Sequence, residues 1–157
     1  MVIAQEAGLS VTQVADYFMR RVDTDAGDCM TNLRLQKLVY YAQAWHLAIT
    51  GRPLFAEEFQ AWIHGPVVPE LYSTYSTYTL SPLPRPDGPF PSLDGETESV
   101  LDEVWNVYGQ FTAKHLEDMT HNEPPWVDAR EGYSPGEACQ EIISKEAMRA
   151  YYASQLK

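Results

Sequence analysis

The residues that could carry out chemistry in this sequence are four histidines and two cysteines: His46, His64, His115, His121, Cys29 and Cys139. A catalytic zinc site typically needs three protein ligands and an open position. The HExxH pattern is absent, and His115 and His121 are too far apart in sequence to stack on one helix face. We therefore predict no metal site and no cofactor, and we interpret each histidine as a hydrogen-bonding structural residue.

Either cysteine could act as a nucleophile with a histidine base, but neither lies in a nucleophile motif. The chain also lacks a GxSxG elbow, a P-loop and a GxGxxG loop. Adjacent carboxylates, such as Glu57 with Glu58, cannot share one helix face and are typical of solvated surface. We predict no catalytic residue and no enzyme. A small metal-dependent or Cys-dependent hydrolase is the alternative.

Two segments, 62–67 and 120–126, each combine a tryptophan, a histidine and a rigid proline turn. Aromatic anchors on rigid turns make good interface hot spots. The structural interpretation is that each tryptophan packs on proline and closes an edge of the core. Both interpretations stay open, because one segment can serve both purposes.

The elements that must position these segments are mainly helices, arranged around a central buried helix over about 33–50. Thr31 can cap this helix, and Gly51 with Pro53 can end it. Apolar residues lie around much of its circumference, which is typical of a helix in the middle of a core. Its core-facing side is predicted to carry Leu35, Leu38, Val39, Ala42 and Ile49.

Shorter elements surround it in the first half of the chain. Ser10 and Gln13 form a capping box at the start of the first helix. Alternation from Phe59 to Ile63 predicts a short strand, part of a small antiparallel β element. Gly65 and Pro66 are interpreted as a turn or a kink, and Pro69 as the start of a short helix.

The second half begins with a proline-rich surface loop over about 79–96, where no helix is compatible with five prolines. A helix is predicted from about Thr97 to Tyr108, with Val107 facing inward, and another begins after Thr112. Pro124 and Pro125 are predicted to end that helix. Further predictions are a brief strand at Ile142 and Ile143, and a last helix capped by Ser144 with Met148, Tyr151 and Tyr152 buried.

Charge narrows the choice of partner. The chain has 22 acidic and 11 basic residues and a formal charge of -11, which argues against nucleic acid or an anionic membrane as partner. Residues 1–81 carry -3 and residues 82–157 carry -8, which could steer a basic partner or simply maintain solubility. Two cysteines in no paired spacing, no leader pattern and no long apolar run predict a cytoplasmic protein.

The blocks LRLQKLVYYAQAWHLAITGRPLF, EEFQAWIHGPVVPELYSTY and THNEPPW, with a closing acidic-aromatic helix, resemble the Panacea domain. This is the domain of the SocA-like antitoxins, also described as phage-associated GepA-like proteins. The resemblance runs from about residue 10 to residue 155, which predicts one Panacea-like domain over 1–157. Where the family commonly has an aromatic residue just before Gly-Pro, this chain has His64.

The resemblance implies an antitoxin whose partner is a cognate protein toxin encoded next to it. Some family members are thought to neutralise by direct contact, and some to deliver the toxin to a cytoplasmic AAA+ protease as an adaptor. A phage-encoded inhibitor of a host defence protein is a further alternative. The predicted partner-binding residues are Trp45, Trp62, His64, Gly65, Pro66, Tyr72, His121 and Trp126.

Overall fold

The computed structural model describes residues 8–156, and one helix, α2 (Asn32–Thr50), runs through the middle of them. The Thr31 side chain caps its start, and Gly51 ends it with a φ of 78°. This confirms the predicted central helix. Helices α1 (Val11–Arg21), α4 (Gly95–Tyr108), α5 (Ala113–Thr120) and α7 (Lys145–Ser154) pack against it.

Several polar side chains of α2 are buried because they hold neighbouring backbone in place. Gln43 donates to the carbonyl of Phe55 and accepts from the amide of Leu54, both at 2.7 Å. Gln36 accepts from the amide of Val68 at 3.0 Å. Buried polar groups are costly unless they are paired, so these bonds fix the segments that follow α2.

The remaining elements are α3 (Pro69–Thr74), α6 (Pro124–Ala129), two single 3₁₀ turns and three strands. Strands β1 (Phe59–Trp62), β2 (Gly65–Val67) and β3 (Ile142–Ile143) form an antiparallel sheet in the order β2-β1-β3. The mainly helical fold and the small antiparallel β element are therefore confirmed.

Local hydrogen bonding accounts for where the helices begin. The predicted capping box at Ser10 is present, and Thr112 and Ser144 cap α5 and α7. Helix α4 begins at Gly95, two residues before the predicted Thr97, because the Asp94 side chain accepts from the Thr97 amide.

The prediction for Pro124 and Pro125 was wrong. Helix α5 ends at Thr120, and the proline pair instead occupies the first turn of α6. The first turn of a helix leaves its amides unpaired in any case, so residues without an N–H fit there.

Two residues predicted to face the core are exposed: Ile49 at 50% and Val107 at 39%. Both lie near the C-terminal ends of their helices, where no further described element covers them. Tyr151 is only half-buried, whereas Met148 and Tyr152 are buried as predicted. Helical periodicity assigns a face correctly, but not the point at which the core ends.

The proline-rich segment has no helix or strand between Thr79 and Asp94, yet it is attached to the core. Leu83 is buried, and its amide donates to the carbonyl of Met30 at 2.7 Å. Arg20 donates to the carbonyls of Asp87 and Gly88. The segment is thus a surface loop held down at several points. Within residues 8–156, none of the helices has the length and apolar character needed to cross a membrane.

Candidate functional site

The hairpin formed by β1 and β2 brings most of the predicted site residues together. Trp62 pairs with Gly65, so the connection is the two-residue turn Ile63–His64. The turn or kink predicted at Gly65 and Pro66 thus lies next to the observed turn, because Gly65 closes the turn by pairing with Trp62 and also begins β2. Proline is tolerated there since β2 is an edge strand and needs no donor on its outer side.

Gly65 is required by both its backbone and its surroundings. Its φ is 108°, a conformation that L-residues with a side chain rarely adopt. A Cβ atom at this position would lie 2.5 Å from Cε of Lys37 and 3.0 Å from Oγ1 of Thr120. A side chain at this position would therefore force the side chain of Lys37 or Thr120 to shift.

Lys37 is the buried support beneath this hairpin. Its side chain is 1% exposed, and Nζ donates to the carbonyl of Pro66 at 3.3 Å. Burial lowers the pKa of Lys37 to about 7, and the nearby Glu117 carboxylate opposes that shift. The residue is enclosed, so its amine is not available as a nucleophile for a ligand.

Replacing Lys37 by methionine is expected to flatten the pH dependence of stability. The unfolded chain binds a proton at Lys37 up to a pKa of about 10.4, whereas the folded chain releases it near 7. Between those values the unfolded state binds more protons, so the free energy of unfolding rises with pH. We expect a rise on the order of 2 kcal/mol from about pH 7.5 to about pH 9.5 in the parent chain.

Chemical denaturation across this window measures the effect. Tyrosines of the unfolded chain begin to ionise in the upper part of the window, and the comparison with Lys37→Met cancels their contribution because both chains carry the same tyrosines. Lys114→Met is the matched control, because Lys114 is exposed and should leave the slope unchanged. If the free energy of unfolding changes with pH by the same slope in the parent chain and in Lys37→Met, the pKa of Lys37 is not lowered in the folded chain.

Glu117 joins the turn of the hairpin to the end of α5. Its Oε2 lies 3.1 Å from Nδ1 of the exposed His64 and 3.9 Å from Nε2 of His121. Burial is the main cause that lowers the pKa of His121. A hydroxyl or thiol nucleophile activated by histidine must be hydrogen-bonded to it, and no described cysteine or serine is hydrogen-bonded to either of these two histidines. This arrangement orients the turn.

The motif THNEPPW forms the underside of the hairpin. The rings of His121 and Trp126 stack with centroids 4.0 Å apart, and Trp126 Nε1 donates to the carbonyl of Trp62 at 2.8 Å. Glu123 accepts from the hydroxyls of Tyr41 and Tyr152 at 2.8 and 2.7 Å, and burial raises its pKa. These contacts favour the structural interpretation of the second tryptophan segment.

The outer side of the hairpin forms an open apolar groove, here called the strand-side groove. Its volume is about 360 Å³, and its lining consists of Leu33, Trp62, Ile63, His64, Val67, Tyr72, Ala138, Cys139 and Gln140. The rings of Trp62 and Tyr72 meet edge to face at 5.2 Å, and both side chains are half-buried. This groove offers rigid aromatic surface to a ligand or partner.

The predicted residues therefore divide. Trp62, His64 and Tyr72 line the strand-side groove, while Gly65, Pro66, His121 and Trp126 support it from behind. Leu33, Ile63 and Cys139 also line it but were not predicted as site residues. Leu33 lies in the first turn of α2, two residues after the capping Thr31.

Trp45 lies in a different place. Its Nε1 donates to the hydroxyl of Tyr108 at 2.8 Å, which joins α2 to α4. It borders a second apolar groove of about 290 Å³, here called the helical groove and lined by Trp45, Ile49, Val100, Glu103, Val104, Val107, Tyr108 and Leu156. The two grooves share no lining residue.

Comparison with known proteins gives two matches to this chain. The family model for the SocA-like antitoxins with a Panacea domain matches residues 35–127, which include both tryptophan segments. The antitoxin SocA of Caulobacter vibrioides (strain NA1000 / CB15N) is 30% identical over 109 residues, a stretch that covers 62% of this chain and 58% of that protein. The comparison with solved structures found no match.

Proposed function

Because this chain belongs to the SocA-like antitoxin family with a Panacea domain, we propose that it neutralises a cognate protein toxin by binding it directly. We place the toxin contact at the strand-side groove. The matched stretch spans 58% of the length of the Caulobacter relative.

The observation that carries this proposal is the open aromatic groove on a rigid hairpin. Trp62 and Tyr72 present apolar surface at the groove, and His64 is exposed beside them. Lys37, Trp126 and the close approach at Gly65 hold the hairpin from behind. A preorganised surface of this kind loses little conformational entropy on binding, which favours tight association.

The same geometry supports a role without catalysis. The described residues 8–156 contain no group of three or more His, Cys, Asp or Glu side chains placed to hold a metal ion. Cys139 is buried, and the exposed Cys29 lies outside the strand-side groove. We therefore propose an inhibitor that acts by occupying a surface of the toxin, without a chemical step. The prediction that the purified protein carries no stoichiometric metal stays a prediction.

Co-expression with the product of the adjacent reading frame tests the proposal. We expect the two proteins to co-purify as a defined complex and growth to be restored. If growth is restored without a complex while toxin levels fall, and only in a host that retains the protease, that result would favour the adaptor route. Restored growth without a complex and with intact toxin would favour an enzyme.

Salt is expected to slow association with the toxin more than it changes dissociation. The formal charge is -11, and most of it is carried by residues 82–157. Long-range attraction of a basic toxin accelerates encounter and is screened beyond about 8 Å at physiological ionic strength. Stopped-flow or surface-binding kinetics over a range of NaCl concentrations measure both rates. An association rate that does not respond to salt would show that the acidic half serves solubility alone.

A further inference from the structure

The helical groove is an apolar surface that none of the described elements covers. Ile49, Val107 and Leu156 are 50%, 39% and 46% exposed, and all three line it. Exposed apolar side chains are unremarkable when scattered, but a contiguous group on a folded protein commonly marks an interaction site. Trp45, whose indole is anchored on Tyr108, adds a rigid aromatic ring at the same place.

The edge of this groove is acidic. Helix α4 carries four carboxylates and no Lys or Arg. Glu103 lines the groove and has no salt bridge within residues 8–156. Glu96 lies two helical turns earlier on the same side of α4, beside Val100, and is paired with Arg52 at 3.1 Å. The uncompensated negative charge at this edge of the groove is therefore that of Glu103, because Arg52 balances the charge of Glu96.

The shape of the groove favours a helix as its occupant. Its lining comes from α2, α4 and Leu156, the second residue after the end of α7, and it includes no strand residue. A partner thus finds no free strand edge to extend and must contribute apolar side chains. On α4 the lining extends from Val100 to Tyr108, roughly 12 Å, which an amphipathic helix of about three turns can cover.

We propose that the helical groove binds an amphipathic helix of a partner protein, with its apolar face in the groove and a Lys or Arg residue beside Glu103. A second copy of this chain would bring its own acidic α4 against the acidic edge, so like charges oppose self-association. An anionic lipid surface is disfavoured for the same reason. The proposal is independent of toxin binding at the strand-side groove, since the two share no residue.

A synthetic peptide tests this surface in the full-length chain. The probe is a fluorescein-labelled helical peptide of about 12 residues, with leucines at i, i+3, i+4 and i+7 and lysines on both flanks. Fluorescence anisotropy measures its dissociation constant. We expect saturable binding, and binding about tenfold weaker or worse for a peptide with glutamates in place of the lysines and for a shuffled peptide.

Neutral substitutions locate the site without changing charge. Ile49→Asn combined with Val107→Asn is expected to weaken peptide binding about tenfold or more. Val127→Asn is the matched control, because Val127 is 43% exposed on α6 and lines neither groove. Trp62→Ala in the strand-side groove should leave the peptide affinity unchanged. Thermal melting confirms that each variant is folded.

The acidic edge has a control of its own. Glu103→Gln is expected to weaken binding about threefold and to flatten its salt dependence. Glu98→Gln makes the same change of net charge on the opposite side of α4 and should have a smaller effect.

Four results would overturn the proposal. One is unchanged peptide affinity in the folded Ile49→Asn, Val107→Asn variant, and the second is an equal loss of peptide affinity in Val127→Asn. Another is concentration-dependent dimerisation that the double substitution abolishes, which would make a second copy the occupant. The last is binding to phosphatidylserine vesicles that the double substitution removes, which would make the surface a lipid site.

Discussion

Replacing Trp62 by alanine is expected to weaken toxin binding about 30-fold or more while the chain stays folded. Trp62 is half-buried in the strand-side groove and packs edge to face on Tyr72 at 5.2 Å. Interface residues of this kind commonly contribute about 2 kcal/mol or more when truncated, and 1.4 kcal/mol corresponds to roughly a tenfold change in affinity. Isothermal titration calorimetry with the purified toxin gives the affinity, and thermal melting verifies the fold.

The loss should appear mainly as faster dissociation, because mutations within one interface usually change the dissociation rate most. Tyr78→Ala is the control, since Tyr78 is an exposed aromatic residue that lines neither groove. If both variants bind the toxin as tightly as the parent chain does, the strand-side groove is not the toxin contact.

Replacing Gly65 by valine is expected to lower the free energy of unfolding by about 2–6 kcal/mol, which is a large part of the stability of an ordinary domain. Two costs add here. A side chain at a φ of 108° is strained by about 1–3 kcal/mol. The added atoms also meet the enclosed Lys37, whose Cε would lie 2.5 Å from the new Cβ, and such overpacking costs about 1–3 kcal/mol.

A second glycine separates these two costs. Gly132 has a φ of 91° but nothing within 4 Å of a Cβ atom, so Gly132→Val reports the backbone strain alone. Chemical denaturation should therefore show a larger loss for Gly65→Val than for Gly132→Val. Combining Gly65→Ala with Lys37→Ala should recover part of the Gly65→Ala loss. An unchanged melting temperature with lost toxin affinity would instead make Gly65 a contact residue.

The positions of helix ends could be predicted where the signal is a hydrogen bond within one turn of helix. Ser10, Thr31, Thr112 and Ser144 all cap the helices predicted to follow them. Proline and glycine proved ambiguous, because they mark a boundary without saying which side of it they occupy. Pro124 begins a helix where an end was predicted, and Gly65 begins a strand after the turn.

The sequence singled out two segments that each combine a tryptophan, a histidine and a proline, and these segments meet in the structure. Their contact, in which Trp126 donates to the backbone carbonyl of Trp62, could not be predicted from the pattern alone. The support by Lys37 could not be predicted, since lysine is rarely enclosed and its sequence neighbours do not reveal what lies above it. The helical groove was missed because periodicity placed Ile49 and Val107 inside, beyond the point where the core ends.

The most direct test of neutralisation by binding is the amount of this chain needed to restore growth at a fixed level of toxin. A binder must at least match its target, so we expect rescue to begin only near a one-to-one ratio, as measured by quantitative immunoblotting. Alanine at any one of His46, His64, His115, His121, Cys29 or Cys139 should leave rescue intact in every variant that stays folded. Rescue far below equimolar amounts, with intact toxin levels and one folded His or Cys variant inactive, would contradict binding and establish catalysis.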